Sequence, residues 1–111
     1  MITDFKLDEG RKAEYYRQGY WTSETLNDVW DRTVAAYGDC EYVSDDRGQR
    51  FTYKEVDDKA SRLAAWFKEV GVKNGDVVTW QIPIWADSTY VYVAALKVGA
   101  VMHPLPRNFN E

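Results

Sequence analysis

Nucleophilic catalysis needs a nucleophile held beside a base. The sequence offers four serines (Ser23, Ser44, Ser61 and Ser88), one cysteine, Cys40, and one histidine, His103. None of the serines stands in a G-x-S-x-G turn, so none has an activated context. A Cys40–His103 pair is formally available, but one lone cysteine and one lone histidine are explained as well by ordinary packing. His103 precedes Pro104 and reads as a residue hydrogen-bonded at the edge of a sheet. A single histidine also leaves little for a metal site. The carboxylate pairs Asp45/Asp46 and Asp57/Asp58 are adjacent in sequence, and neighbours on a strand or helix point in different directions. They are expected on a solvated turn and a solvated helix face. Tyr15, Tyr16, Tyr20 and Trp21 could stack a ligand, but a lone Arg17 among them is no interleaved basic run, which favours packing. There is no Walker loop and no G-x-G-x-x-G; Gly71 and Gly75 are isolated. On these residues no catalytic, cofactor-binding or metal-ligating position is assigned.

The elements that would position any site come from a chain of 111 residues, enough for one small domain. Fourteen Lys and Arg against eighteen Asp and Glu give a net charge of −4. That balance argues against a nucleic-acid partner, which needs a basic surface. A hydrophobic content of 45% supports a packed core, and one cysteine excludes an internal disulfide framework. The first residues lack an apolar run of signal length, and the longest apolar stretch, 90–96, is too short to span a bilayer. The expected location is the cytoplasm, which tolerates a free Cys40.

Residues 8–21 read as a short helix or an arm that lays Tyr15, Tyr16, Tyr20 and Trp21 on the body of the protein. Thr22 or Ser23 is expected to cap a helix beginning near Glu24, with Leu26, Val29, Trp30, Val34 and Tyr37 on one face and Gly38 as its C′ residue. Strands over 41–44 and 49–51 flank a hairpin turn made of Asp45, Asp46, Arg47 and Gly48. Thr52 and Glu55 form a capping box. The helix it opens carries an apolar stripe of Val56, Ala60, Leu63, Ala64, Phe67 and Val70. Its expected ion pairs are Glu55 with Lys59 and Asp58 with Arg62. Gly71 and Val72 close it in a Schellman motif. After a turn at 73–76, a strand over 77–82 is expected to be covered on both faces and to end at Pro83. A helix over about 86–97 follows, with Tyr90, Val93, Ala94, Leu96 and the Lys97 stem inward, Tyr92 outward and Gly99 at C′. A strand over 100–103 is stopped by Pro104 and Pro106. Strand, helix, strand makes a right-handed parallel βαβ unit. The fold class is α/β, in the order helix–hairpin–helix–strand–helix–strand.

Five short patterns occur in order. They are Phe51, Thr52, Tyr53, Lys54, Glu55, Val56; then Arg62, Leu63, Ala64; then Gly71, Val72, Lys73, Asn74, Gly75, Asp76, Val77, Val78; then Ala95, Leu96, Lys97, Val98, Gly99, Ala100, Val101; and Pro104, Leu105. Together they resemble the N-terminal part of the AMP-forming acyl-CoA synthetases, in the adenylate-forming superfamily. The resemblance runs from about Tyr15 onward. Tyr16, Arg17, Gln18, Gly19, Tyr20 and Trp21 are similar to the opening of carboxylate–CoA ligases for alicyclic and medium-chain acids, and of aryl-acid AMP ligases. Gln81, Ile82, Pro83, Ile84 and Trp85 resemble a "Q-L-P-N-W" passage, with Ile84 where an Asn that can cap the next helix is usual. Residues 104–109, Pro104 to Phe109 in sequence, depart from the pattern in a displaced second proline.

The resemblance implies a longer parent that activates a carboxylate with MgATP to an acyl-adenylate and pyrophosphate, then passes the acyl group to the thiol of CoA. The phosphate loop, the ATP-binding motifs, the acyl pocket and the catalytic lysine domain would lie beyond Glu111. ATP, Mg and CoA are thus implied for the parent and none for residues 1–111. The expected division is an N-terminal aromatic arm over 1–22 and a truncated α/β subdomain over 23–111, inactive alone. The partner implied is the remainder of the parent enzyme. Exposed apolar surface on the strands implies self-association of the isolated piece. Two other readings stand beside this one: an adenylation enzyme loading a carrier protein, and a standalone interaction module without chemistry.

Overall fold

A computed structural model describes residues 6–108; Phe109 and Glu111, which figure in the sequence patterns, lie outside the described residues. Helix α1 (Glu9–Arg17) starts where the Asp8 carboxylate accepts from the Arg11 amide at 3.0 Å. No residue of α1 is buried. Its aromatic group packs on itself: Trp21 lies 5.2 Å from Tyr15 and edge-on to Tyr16 at 6.0 Å, ring centre to ring centre. Tyr20 stays 73% exposed, so the rings form a local cluster and do not bury themselves in the core.

Helix α2 (Leu26–Tyr37) begins later than expected, because Thr25 and Asp28 form a complete capping box. Thr22 instead accepts from the Glu24 amide, a local turn ahead of the helix. Of the expected stripe only Trp30 is buried and Val34 half-buried; Leu26 and Tyr37 are 65% and 59% exposed. The C-cap Gly38 keeps right-handed helical angles (φ −50°, ψ −38°) rather than the left-handed turn of a C′ glycine.

Strands β1 (Glu41–Ser44) and β2 (Arg50–Thr52) form an antiparallel hairpin with a register irregularity between Glu41 and Val43. The second strand starts one residue later than expected, since the Gln49 carbonyl is used to close the turn with the Asp45 amide. Helix α3 (Tyr53–Glu69) opens on the anticipated capping box: Glu55 N donates to Thr52 Oγ1 at 3.2 Å and Thr52 N to Glu55 Oε2 at 2.8 Å. Glu55 is thereby committed to the cap, and Lys59 lies over the Phe51 ring at 4.9 Å. Asp58 and Arg62 do pair, at 2.6 Å. Val72 N donates to Phe67 O and Gly71 N to Lys68 O, the two bonds of a Schellman motif around Gly71 at φ +95°. Val70, past the last turn, is 55% exposed and leaves the expected stripe.

Strands β3 (Val77–Trp80) and β4 (Val101–Pro104) pair in parallel across helix α4 (Ala86–Val98). β3 is shorter than expected and covered on one side only: Val77 and Thr79 are exposed, Val78 and Trp80 half-buried. Pro104 sits inside β4, opposite Trp80. Val101 N and Leu105 N donate to Asp76 O and Trp80 O. The even-numbered residues of β4 therefore face the open edge, where a proline with no N–H breaks no ladder bond. The core lies between α3 and α4, where Val56, Ala60, Ala64 and Phe67 meet Val93, Ala94 and Val98, with Trp30 at one end. Ala86, Val91 and Ala95 are buried as well, so α4 is enclosed on a broader front than the expected face. Tyr90 is half-buried against this core and Tyr92 more exposed, as their spacing implies.

Candidate functional site

Parallel strands in an open α/β sheet end together, and the crevice outside their carboxyl ends is where such folds hold ligands. Here β3 and β4 end at Trp80 and Pro104, and a cleft of about 1010 Å³ opens beyond them. Trp80, Pro83, Trp85, Tyr92, Leu105 and Arg107 contribute to its walls, with Ser44 and Asp45 of the hairpin at the rim. Trp80 and Tyr92 meet edge-to-face at 4.9 Å, which fixes the inner wall. The Gln81 amide donates to the Pro106 carbonyl at 2.8 Å and ties the two strand exits together.

The polar side of the cleft is built around Asp45. Its side chain is 3% exposed. One oxygen, Oδ1, accepts from the Arg47 and Gln49 amides at 3.0 Å each; the other, Oδ2, accepts from the Ala86 amide at 3.0 Å. The Ala86 bond, with those of the turn, holds its carboxyl below the ordinary aspartate range. Arg47 bonds Asp87 and stands 3.6 Å from Asp45, and its guanidinium lies 3.8 Å above the Trp85 ring. Tyr90 donates to Asp87 at 2.7 Å. That bond, then Arg47, lowers the Asp87 carboxyl, while burial and the same bond raise the Tyr90 phenol.

Asp45 was expected on a solvated turn, and the structure corrects that. Asp57 departs from its expected helix face too: it accepts from Trp30 Nε1 at 2.7 Å and pairs with Lys97 at 2.9 Å. Asp46 and Asp58 are exposed, as expected. His103 pairs through Nδ1 with Thr79 Oγ1 at 3.1 Å across the β3–β4 pair, the sheet-edge bond its position suggests. Cys40 lies exposed between α2 and β1, in a different part of the fold. Ser44 and Ser88 line the cleft; Ser88 Oγ donates to the Trp85 carbonyl, and no base bonds it. Ser23 and Ser61 are exposed elsewhere. Among the described residues no group of three His, Cys, Asp or Glu could hold a metal ion, and no helix is long and apolar enough to cross a membrane. Among the described residues, the cleft shows no side-chain nucleophile hydrogen-bonded to a base. The Asp45–Arg47–Asp87–Trp85 group escaped the sequence reading because its members come from two segments some 40 residues apart. The one available signal was Ile84, whose side chain cannot cap the helix that follows.

The profile of the AMP-binding enzyme family matches residues 30–111. The medium-chain fatty-acid–CoA ligase of Escherichia coli K12 is 39% identical over all 111 residues, which make up 20% of that protein. The 2,3-dihydroxybenzoate-AMP ligase of Bacillus subtilis 168 is 34% identical over 91% of this chain and 19% of its own length. Among solved structures, apo MbtA of Mycobacterium smegmatis superposes with a TM-score of 0.82 over 96% of this chain and 20% of that one, at 28% identity. The chain thus spans about a fifth of the length of these relatives.

Proposed function

Since the chain belongs to the AMP-binding enzyme family, we propose that it is the N-terminal part of an AMP-forming carboxylate–CoA ligase. The proposed reaction condenses a carboxylate with ATP to an acyl-adenylate and pyrophosphate, then moves the acyl group to the thiol of CoA with release of AMP. The observation that carries this reading is the similarity to a CoA ligase along every residue of the chain, at 39% identity. The described residues do not themselves fit ATP or magnesium: they hold no metal-binding cluster and no glycine-rich phosphate loop. No step is therefore assigned to them, and their proposed part is to build the α3–α4 scaffold and the cleft at the strand ends. We keep the division into an arm over 1–22 and a subdomain over 23–111, and a cytoplasmic location, as parts of the same proposal.

A second reading has its own support. Relatives include the salicyl-AMP ligase / salicyl-S-ArCP synthetase of Mycobacterium tuberculosis H37Rv, 32% identical over 82% of this chain. In that case the acceptor would be the thiol of a carrier protein. The test starts by reading the coding sequence past the Glu111 codon and expressing the full-length protein. ATP–pyrophosphate exchange is expected with at least one member of a carboxylate panel, followed by thioester formation on CoA. Thioester only on a carrier protein would favour the second reading. No exchange with any carboxylate would overturn both and leave a module without chemistry.

A further inference from the structure

Helix α4 lacks a cap of its own. Its N-cap residue is Trp85, whose side chain makes no capping bond, and Ile84 before it is 98% exposed. The Ala86 amide, one of the orphan donors of the first turn, is satisfied from 41 residues upstream by Asp45 Oδ2. We propose that the β1–β2 turn is the N-terminal cap of α4: Asp45, with Arg47 beside it, straps the start of that helix and the Trp85 indole to the hairpin. The cleft wall at that end is then held by the hairpin and not by the helix's own flank.

The two oxygens of Asp45 divide the task. Oδ1 is fixed inside its own turn by the Arg47 and Gln49 amides, which aims Oδ2 at the helix. A carboxylate at that end also meets the positive end of the helix dipole. Arg47 extends the strap by bonding Asp87, in the first turn of α4, and by lying on Trp85. The charged and titratable groups facing the strap are Arg47 from the turn, Asp87 and Tyr90 from α4, and Lys59 from α3, which lies 5.9 Å from the Tyr90 ring. The inference stands on this geometry and is independent of the reaction proposed above.

The test uses full-length protein labelled with ¹⁵N-alanine, in which the Ala86 amide is followed through an acid titration. The Ala86 resonance is expected to move as Asp45 takes up a proton. Asp45→Asn, which keeps one acceptor oxygen and no titrating proton, removes that step, whereas Asp87→Asn leaves it. Asp45→Ala is expected to speed hydrogen exchange at Ala86 roughly fivefold or more, the scale of a lost helix cap. An Ala86 resonance that does not titrate in the parent protein, or that still titrates in Asp45→Asn, overturns the proposal.

Discussion

Asp57 receives two bonds that no neighbour in sequence could supply: the indole N–H of Trp30 on α2 and the ammonium of Lys97 on α4. Removing the carboxylate leaves the indole N–H of buried Trp30 without its acceptor and Lys97 with only the more distant Asp31, 3.9 Å away, where three helices meet. We expect Asp57→Ala to cost about 1–3 kcal/mol, read as a lower urea midpoint with an unchanged slope. Asp45 and Asp87 give the pH dependence. Both carboxyls are held below the ordinary aspartate value of 3.8, the first by the Ala86 amide and the second by Tyr90. A carboxylate lowered by folding stabilises the fold above its unfolded value and loses that contribution as pH falls through the lower folded value. These two groups therefore keep stability flat from neutral pH down to about pH 4 and remove it below. Asp45→Asn with Asp87→Asn is expected to flatten that acid limb, followed by circular dichroism. At this scale the sequence was least legible. Asp45 and Asp57 look like solvated acids because the partners that carry them beyond their own segments, Ala86 and Trp30, lie 41 and 27 residues away.

The elements were far more legible, because their signals are local. The capping box of Thr52 and Glu55, the Schellman turn at Gly71 and the turn composition of 45–48 each need only neighbours within about five residues. Where reading failed, a neighbour in space had intervened. The stripe on α2 is real as a pattern, yet only Trp30 is buried, with Val34 packed part-way against the core. β3 reads as doubly covered because its residues are apolar, whereas Val78 packs on the core while Val77 and Thr79 are exposed. Gly99 shows a local signal with a spatial consequence. It ends α4 at φ +70°, and a Cβ there would lie 2.2 Å from the Asn74 amide nitrogen. We expect Gly99→Ala to destabilise by about 1–2 kcal/mol for the left-handed backbone alone. Displacing Asn74 adds to this, so Asn74→Gly in the same chain should recover part of the loss in thermal unfolding.

For the whole molecule, the radius of gyration is 16.5 Å, against about 13 Å for a compact domain near this length. The excess comes from an exposed arm and from layers covered on one side. Val77 and Val101, opposite each other in the parallel register, are 55% and 47% exposed on the face away from α4. Parallel sheets are ordinarily covered on both faces. We therefore expect the isolated 111-residue chain to self-associate and bind a hydrophobic dye, and Val77→Thr with Val101→Thr to weaken both. Sedimentation of the unmodified chain as a clean monomer would contradict this. The fold class was legible at this scale from element order alone, since a strand, a helix of about thirteen residues and a strand admit few other arrangements. The same register sets a schedule during synthesis. α2, the hairpin and α3 can begin to form once residues up to 72 leave the ribosome, but α3 meets its main packing partner only when α4 emerges. β3 must wait until Val101–Pro104 emerges before its first ladder bond exists. During that interval its valines lack a ladder partner, and transiently exposed apolar segments of this kind are what chaperones shield.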